Sequence, residues 1–171
     1  MLKLDGYIRA IPDFPTPGVL FRDLTPLMAN WDALNETVRQ LVHPFHHSSV
    51  DVVAGVEARG FIFGVLAAAQ LGIGFVPLRK PGKLPGQVES VSYQLEYGQA
   101  SLEIQRDAFG RGQRVLIVDD VLATGGTLSA AVRLVTRLGG DVVGIAVVME
   151  LTSLSGRTAL GTHRLHRVLS A

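Results

Sequence analysis

The fold is decided by the stretch Val115-Leu116-Ile117-Val118-Asp119-Asp120-Val121-Leu122-Ala123-Thr124-Gly125-Gly126-Thr127. It opens on four consecutive aliphatic residues, which is typical of a strand buried on both faces in a parallel sheet. Two adjacent carboxylates, Asp119 and Asp120, stand at the carboxyl end of this strand, and a loop of small residues then leads into a helix. Ligands of open α/β sheets bind outside the carboxyl ends of the strands, so we expect the functional site here.

Residues 123–127, which we call the phosphate loop, have the composition of an anion-binding nest. Gly125 and Gly126 let the backbone approach a ligand, and Thr124 and Thr127 add hydroxyl donors to the N–H groups at the helix start. The loop lacks the Gly-Lys-Ser/Thr sequence of a nucleoside triphosphate site. One phosphate beside two carboxylates that accept hydrogen bonds from vicinal hydroxyls indicates a ribose 5-phosphate. The alternative, a solvated acidic turn, is less favourable because carboxylates beside a hydrophobic strand need partners.

Length and composition predict one globular domain that spans residues 1–171. The net charge of +1 gives no basic surface for nucleic acid, and the absence of cysteine excludes disulfides and thiolate catalysis. No stretch approaches the ~20 apolar residues of a membrane span, and the N-terminus lacks the apolar run of a signal peptide. We therefore expect a cytoplasmic protein with neither nucleic acid nor a membrane as a partner.

A second strand-and-helix unit precedes the decisive stretch. Residues 50–56 are predicted to form another buried strand, followed by the polar loop Glu57-Ala58-Arg59-Gly60, a helix at about residues 61–71 and a third strand at residues 74–78. Alternating strands and helices predict a parallel sheet with right-handed crossovers. Two strand-to-helix loops, residues 57–60 and the phosphate loop with its acidic pair, then face one ligand from the same edge, and Arg59 is available to an anionic group there.

Residues 79–86 interrupt this alternation, because Arg79-Lys80-Pro81-Gly82-Lys83-Leu84-Pro85-Gly86 contains two prolines, two glycines and three cations. They form either a solvated basic loop or a mobile lid that carries positive charge to a polyanion. Residues 91–95 and 101–104 alternate apolar and polar side chains around a turn at residues 96–99. This pattern predicts a β-hairpin that extends the lid as a flap.

The N-terminal segment carries weaker patterns. Residues 2–11 are compatible with a short amphipathic helix, and Asn30 has the chemistry of an N-cap for the helix that follows it. The apolar pair Leu20 and Phe21 forms either ordinary core or a hydrophobic slot for a planar base. The neighbouring Arg22 cannot be core without a partner.

Histidines cluster near the end of the helix after Asn30 and in the C-terminal segment. Three of them lie within residues 43–47, where metal ligation is one interpretation, but a favourable interaction of cations with the helix C-terminus explains them without a second ligand set. His166 lies between Arg164 and Arg167 among leucines, which indicates a solvated surface or interface segment.

Residues 115–127 closely resemble the phosphoribosyl-diphosphate-binding signature of type I phosphoribosyltransferases, with its hydrophobic strand, acidic pair and Thr-Gly-Gly-Thr loop. Further segments resemble parts of adenine phosphoribosyltransferases, in chain order, between about Arg9 and Arg157. Agreement of several separate motifs is more specific than any one of them. The segments are 12–23 (base-binding segment), 58–64 (diphosphate loop and following helix), 79–86 (flexible loop), 95–98 (its catalytic end) and 150–154 (C-terminal segment).

The resemblance implies a type I phosphoribosyltransferase fold of the α/β class. This fold has a central, mainly parallel, twisted sheet flanked by helices, with an N-terminal base-binding hood at about residues 1–30 and a flexible lid at about residues 79–98. The implied reaction of adenine with 5-phosphoribosyl 1-diphosphate (PRPP) gives AMP and diphosphate in purine salvage. The resemblance also implies magnesium as the cofactor and a homodimer as the assembly.

The roles that the resemblance implies suit the chemistry of each side chain. Asp119 and Asp120 accept the ribose hydroxyls, and either is available to Mg²⁺ through water, with no direct protein ligand to the metal. Arg59 stabilises the departing diphosphate, and Glu96 handles the N9 proton of adenine, so these two are the implied catalytic residues. The implied substrate-binding residues are Asp119, Asp120, Ala123, Thr124, Gly125, Gly126, Thr127, Leu20, Phe21, Arg22, Arg79, Lys80, Lys83 and Tyr97.

Two other functions are compatible with parts of the sequence. The same fold could act on another purine or on orotate, although residues 12–23 and 95–98 argue against it. A regulator that senses PRPP and binds nucleic acid would be expected to carry an extra domain or a basic face, which neither the length nor the charge indicates. Glu96 and Arg59 also favour turnover over sensing.

Overall fold

A computed structural model of the chain describes residues 2–94 and 98–171. Strands and helices alternate through the middle of the chain, as the sequence predicts. The strands in the described ranges are β1 (Arg9–Pro12), β2 (Leu20–Asp23), β3 (Val52–Val56), β4 (Gly74–Leu78), β5 (Val88–Gln94), β6 (Gln99–Gln105), β7 (Arg114–Leu122), β8 (Asp141–Glu150) and β9 (Leu165–Ser170). The α-helices there are α1 (Thr25–Ala29), α2 (Trp31–Val42), α3 (Gly60–Leu71) and α4 (Gly126–Arg137). None of these helices is long and apolar enough to cross a membrane.

Strand β7 is the centre of a five-stranded parallel sheet with the order β4-β3-β7-β8-β9. Its residues 115–118 have no exposed surface, which confirms the prediction of a strand buried on both faces. Val115 and Ile117 pack into a core shared with α4, whereas Leu116 and Val118 pack into a second core shared with α2 and α3. Alternate side chains therefore serve opposite faces of the sheet, and both faces are covered.

Local chemistry fixes the ends of the helices that cover the sheet. Helix α2 begins where Asn30 Oδ1 accepts a hydrogen bond from the Ala33 N–H (3.0 Å), so the predicted N-cap is confirmed. Helix α3 ends at Gly72, whose φ of +69° is the left-handed conformation that glycine adopts without strain. Helix α4 begins after Gly125, and this start belongs to the phosphate loop.

The N-terminal segment differs from its prediction as a short helix. A single 3-10 turn spans Leu4–Tyr7, and the chain then enters β1, which pairs antiparallel with β2. The pairing sets Arg9 opposite Asp23 at 3.9 Å between the guanidinium and the carboxylate. The predicted helix at residues 2–11 is therefore wrong. Antiparallel pairing of β1 with β2 outweighs the weak helical pattern, which Gly6 interrupts.

The C-terminal segment, for which the sequence predicts a surface or interface position and a solvated His166, contains a strand that the sequence does not reveal. Its residues form β9, which pairs parallel with β8 at the edge of the sheet. His166 is half-buried, its Nε2 lies 3.0 Å from the Gln40 carbonyl oxygen, and burial lowers the pKa of the imidazole. Arg167 pairs with the buried Glu150, which also accepts two hydrogen bonds from Arg157. Edge strands often carry charged side chains, so the charges of β9 make a strand hard to recognise from the sequence.

Candidate active site

The site lies at the carboxyl edge of the sheet, where β3 and β7 run side by side in parallel. The loop after β3 carries Arg59, and the end of β7 carries the acidic pair. Arg59 Nε donates a hydrogen bond to Asp120 Oδ2, so the loop after β3 meets the acidic pair of β7, as the sequence predicts. The Arg59 guanidinium also lies 5.8 Å from the centre of the Phe21 ring in β2, and it therefore links the acidic pair to the N-terminal segment.

The two carboxylates of the acidic pair are buried. Asp119 and Asp120 expose only 7% and 8% of their surface. Burial raises the pKa of Asp119 well above its usual value, and the neighbouring charge of Asp120 raises it further. Two contacts lower this pKa: the Asp120 N–H donates to Asp119 Oδ1 (2.8 Å), and the positive charge of Arg59 lies nearby. Within residues 2–94 and 98–171, Asp119 Oδ2 and Asp120 Oδ1 receive no hydrogen bond, so one oxygen of each remains for a ligand hydroxyl.

The packing of Asp119 explains the glycine at the start of α3. A Cβ atom added to Gly60 would lie 2.7 Å from Asp119 Oδ1 and 3.1 Å from the Asp119 Cα. Both distances are shorter than normal contacts, so any larger residue would displace the carboxylate. The loop after β3 therefore shapes the acidic pair as well as supplying Arg59.

The phosphate loop encloses a small cavity and rests on a turn near the C-terminus. The cavity has a volume of about 70 Å³ and is lined by Asp119 and residues 121–128. Gly125 has a φ of +85°, and a Cβ there would lie 2.8 Å from the Ala159 Cβ. A Cβ on Gly156 would overlap the carbonyl oxygen of Ala123. The loop thus keeps its shape because backbone approaches backbone at two glycines.

A larger cavity of about 790 Å³ adjoins the phosphate loop and shares Ala123 and Thr124 with it. Leu20, Arg22 and Leu154 also line this cavity, which is large enough for a planar base. Phe21 does not line it, because successive residues of a strand point to opposite faces. The Phe21 ring instead lies 5.1 Å from that of Phe14, and the Arg59 guanidinium is close to it.

The cations of the predicted lid converge on Glu57, a residue that the sequence alone did not assign to the site. Lys83 Nζ lies 2.7 Å from Glu57 Oε1, Arg79 Nη2 lies 3.3 Å from the same oxygen, and the Lys80 N–H donates to Oε2 (3.0 Å). These hydrogen bonds, with that of Lys83 foremost, lower the pKa of Glu57 to about 2. The position of Glu57 directly after β3, two residues before Arg59, was the available signal.

Replacing Glu57 with glutamine is expected to free the lid cations. Loss of the charge removes charge-assisted hydrogen bonds to residues 79–83, so their amide hydrogens should exchange roughly tenfold faster, as measured by mass spectrometry. Glu36→Gln, which removes an acid paired with Arg39 on α2, is the matched control. Because the Glu57 pKa is lowered, the wild-type cluster should persist above pH 4.5 and weaken as the pH falls towards 2. Unchanged exchange in Glu57→Gln would contradict the assignment.

The hairpin of β5 and β6 is confirmed, and its stem belongs to the core. The two strands pair antiparallel from Val88 opposite Gln105 to Gln94 opposite Gln99. Val91, Leu102 and Ile104 are buried in the core beside α4. The stem of the hairpin is therefore fixed to the core of the domain.

Two residues that the sequence assigns to the site, Glu96 and Tyr97, lie outside the described residues. The described part of the chain reaches Gln94 on one side of the tip and resumes at Gly98 on the other. The assignments of Glu96 and Tyr97 therefore stay predictions.

Comparison with known proteins decides which family has this site. Residues 28–158 match the family described as the phosphoribosyl transferase domain. Over 169 residues, which are 99% of both chains, the sequence is 59% identical to the adenine phosphoribosyltransferase of Methylococcus capsulatus. The chain belongs to the adenine phosphoribosyltransferase family.

Solved structures of the adenine phosphoribosyltransferase family have the same fold. The enzyme from Rhodothermus marinus superimposes with a TM-score of 0.94 at 48% identity, covering 98% of this chain and 96% of the other. The Saccharomyces cerevisiae enzyme, crystallised with adenine and an imino-altritol bisphosphate, superimposes with a TM-score of 0.92 at 39% identity, covering 97% and 96%. The predicted type I phosphoribosyltransferase fold is confirmed.

The acidic pair can be tested against the magnesium ion that the family resemblance implies. Groups of three or more histidine, aspartate or glutamate side chains suited to a metal do not occur in the described ranges. Mg²⁺ keeps several waters and takes ligands from substrate phosphates, so a full protein cage is unnecessary. The unpaired oxygens of Asp119 and Asp120, beside the phosphate loop, suit such a substrate-held ion.

Proposed function

We propose that this chain transfers the 5-phosphoribosyl group of PRPP to adenine, giving AMP and diphosphate in purine salvage. The observation that carries the proposal is the continuity of the site: Asp119 and the phosphate loop line the small cavity, and the 790 Å³ cavity shares Ala123 and Thr124 with it. One ligand that joins a phosphate, a ribose and a base would occupy all three. The match to curated adenine phosphoribosyltransferases over nearly the full length supports adenine as the base.

Hydrogen-bond donors, carboxylates and cations each bind a different part of the sugar donor. The N–H groups and hydroxyls of the phosphate loop bind the 5-phosphate, and Asp119 and Asp120 accept hydrogen bonds from the 2- and 3-hydroxyls. Arg59 contacts the diphosphate, with Arg79, Lys80 and Lys83 closing from the lid. Glu57 binds the side chains of Arg79 and Lys83 and the backbone N–H of Lys80, so the diphosphate would take over contacts that Glu57 makes.

The chemical step breaks the bond from the sugar C1 to the diphosphate oxygen and forms a bond from C1 to adenine N9. Positive charge develops on the sugar and negative charge on the diphosphate, which the cations of the site stabilise. The protein supplies orientation and excludes water, which would otherwise hydrolyse the sugar cation. Bound Mg²⁺ would neutralise part of the charge on the diphosphate. Glu96 accepts or orients the N9 proton, and Tyr97 helps to close the site, as the family resemblance implies.

Adenine is expected to bind in the 790 Å³ cavity, where Leu20 and Arg22 form part of the wall. Backbone groups of Leu20 would read the exocyclic amine, and a 6-oxopurine would present mismatched donors and acceptors. Phe21 lies outside the wall of this cavity and beside Arg59, so its expected contact with the base stays a prediction of the family resemblance. In this proposal the hood, the lid and the sheet belong to a single domain. The same proposal places the protein in the cytoplasm.

A homodimer is part of the same proposal and rests on exposed apolar side chains. Trp31 at the start of α2 is 69% exposed, and Ile62 and Val65 on α3 are also exposed. Exposed apolar side chains on α2 and α3 support an interface with a second copy of the chain. Sedimentation equilibrium should give the mass of a dimer, and Val65→Glu should shift the population towards monomer. A monomer at all concentrations would contradict the proposal.

A base-competition assay tests the reaction itself. The purified protein with PRPP and Mg²⁺ should form AMP from adenine, detected by chromatography, and should form no product from hypoxanthine, xanthine or orotate. A preference for another base would keep the fold and change the substrate. Salt-dependent binding of nucleic acid without AMP formation would overturn the enzymatic proposal in favour of a regulator.

A further inference from the structure

A tyrosine on the hairpin contacts the phosphate loop directly. The Thr127 hydroxyl donates a hydrogen bond to the hydroxyl oxygen of Tyr93 on β5 (3.2 Å). The ring of Tyr93 also covers Gly126, since a Cβ there would lie 3.2 Å from Tyr93 Cδ2 and 3.3 Å from the Gln94 carbonyl oxygen. The hairpin therefore touches the loop through a hydrogen bond and through close packing.

The hairpin is fixed along α4, the helix that begins at the phosphate loop. Arg133 Nη2 donates to the Ser92 carbonyl oxygen (2.9 Å), and Arg137 Nη1 donates to the Ser90 carbonyl oxygen (3.1 Å). Val91 is buried between these two contacts. Because β5 is anchored along its length, its last residues are held at the loop, immediately before the tip that contains Glu96.

The hydrogen bond between Tyr93 and Thr127 can reverse without any proton transfer. Each hydroxyl has one proton to donate and lone pairs to accept. In the structure, the Thr127 hydroxyl is the donor and the Tyr93 hydroxyl the acceptor. When a phosphate occupies the loop, Thr127 can donate to the phosphate and accept from Tyr93, whose O–H rotates towards it. The chain of hydrogen bonds from Tyr93 through Thr127 to the phosphate then strengthens each of its members.

We propose that Tyr93 is a positioning residue that couples occupancy of the phosphate loop to the hairpin carrying the catalytic tip. The inference rests on the proposed function for the identity of the ligand, a sugar 5-phosphate. Tyr93 acts through Thr127 and does not contact the reacting atoms. Binding of the 5-phosphate reverses the hydrogen bond and holds the end of β5 more firmly against the loop.

Tyr93→Phe tests the proposal in the full chain, because it removes the hydroxyl and keeps the ring over Gly126. The KM for PRPP is expected to rise about three- to tenfold, the effect of one lost hydrogen bond, while the KM for adenine stays within twofold. The matched control is Ser92→Ala, which removes the neighbouring hydroxyl that bonds to Ser101 (2.9 Å) and leaves both KM values unchanged.

A second measurement does not depend on turnover. Saturating ribose 5-phosphate should slow amide hydrogen exchange of residues 88–94 in the wild type and in Ser92→Ala, but not in Tyr93→Phe or Thr127→Val. In a double-mutant cycle, Tyr93→Phe should add less than twofold to the effect of Thr127→Val on the KM for PRPP. If the wild type formed no AMP, the proposed function would fail, and the exchange experiment would still test the coupling.

Three results would overturn the coupling while leaving the enzymatic proposal intact. They are an unchanged KM for PRPP in Tyr93→Phe, full additivity of the two substitutions, and retained ligand protection of residues 88–94 in either variant. Loss of thermal stability alone, with the KM for PRPP and ligand protection as in the wild type, would also count against it, because that pattern describes a purely structural tyrosine.

Discussion

Replacing Arg59 with methionine is expected to lower kcat by about 100- to 1,000-fold, the effect of removing one preorganised donor from a developing negative charge. Arg59 is the cation on the sheet edge itself, joined to Asp120 and close to Phe21, whereas the lid cations are held by Glu57. The ion pair with Asp120 holds the guanidinium at the sheet edge before substrate arrives. Methionine keeps the length and apolar stem of the side chain and removes the charge.

The kinetic signature distinguishes this role from simple binding. Stabilisation that develops only in the transition state affects kcat and kcat/KM together, whereas loss of uniform binding would raise the KM for PRPP alone. Arg59→Lys should recover part of kcat, because a point charge replaces the planar donor. Arg39→Met is the matched control: that arginine is similarly exposed and pairs with Glu36 at 2.7 Å on α2, and its loss should leave kcat within twofold.

An unchanged kcat in Arg59→Met would show that the lid cations alone stabilise the diphosphate. The main role of Arg59 would then be its pairing with Asp120, and the substitution should change the KM for PRPP through the acidic pair. Loss of the Arg59 charge should also raise the pKa of Asp119, because Arg59 opposes the effects of burial and of Asp120 on that pKa. The pH profile of the KM for PRPP would move to higher pH in that case.

Local patterns in the sequence predict the centre of the molecule well. The aliphatic run of β7, the acidic pair and the glycine-rich loop each depend on residues adjacent in the chain, so their pattern survives without knowledge of the fold. The same holds for the N-cap Asn30 and for the hairpin of β5 and β6. These are the parts in which propensity, patterning and function agree.

The features that the sequence does not reveal depend on contacts between distant residues. Glu57 pairs with Lys83, which lies 26 residues further along the chain, and no residue near Glu57 in the sequence indicates this partner. Strand β9 forms because β8 offers it an edge, although its charged residues suggest a solvated segment. The division of Leu20 and Phe21 between two faces appears only when β2 pairs with β1. Tertiary pairing decides each of these cases.

Gly156 belongs to this second group, and replacing it with alanine is expected to raise the KM for PRPP at least tenfold. The residue begins a 3-10 turn, Gly156–Leu160, far along the chain from the phosphate loop. A Cβ there would overlap the Ala123 carbonyl oxygen and lie 2.9 Å from Leu122 Cδ1. The overlap involves backbone, which cannot rotate away as a side chain would, so the loop itself must move.

Movement of the Ala123 carbonyl changes the site because the phosphate loop has little freedom elsewhere. Gly125 faces the same turn, where a Cβ would lie 2.8 Å from Ala159, and Gly126 is covered by Tyr93. A loop held on both sides transmits the displacement to the N–H groups that bind the 5-phosphate. Forcing a methyl group into such packing costs about 1–3 kcal/mol of folding stability, measurable by urea denaturation.

Gly6→Ala separates the effect of this contact from that of losing a glycine. Gly6 also lies in a 3-10 turn, Leu4–Tyr7, and a Cβ there would meet nothing within 4 Å. Neither glycine has a positive φ, so backbone strain is the same in both variants. Gly6→Ala should leave the KM for PRPP and the urea midpoint nearly unchanged. If Gly156→Ala behaved in the same way, the turn would not support the phosphate loop, and the loop would owe its shape to Gly125 and to the hairpin alone.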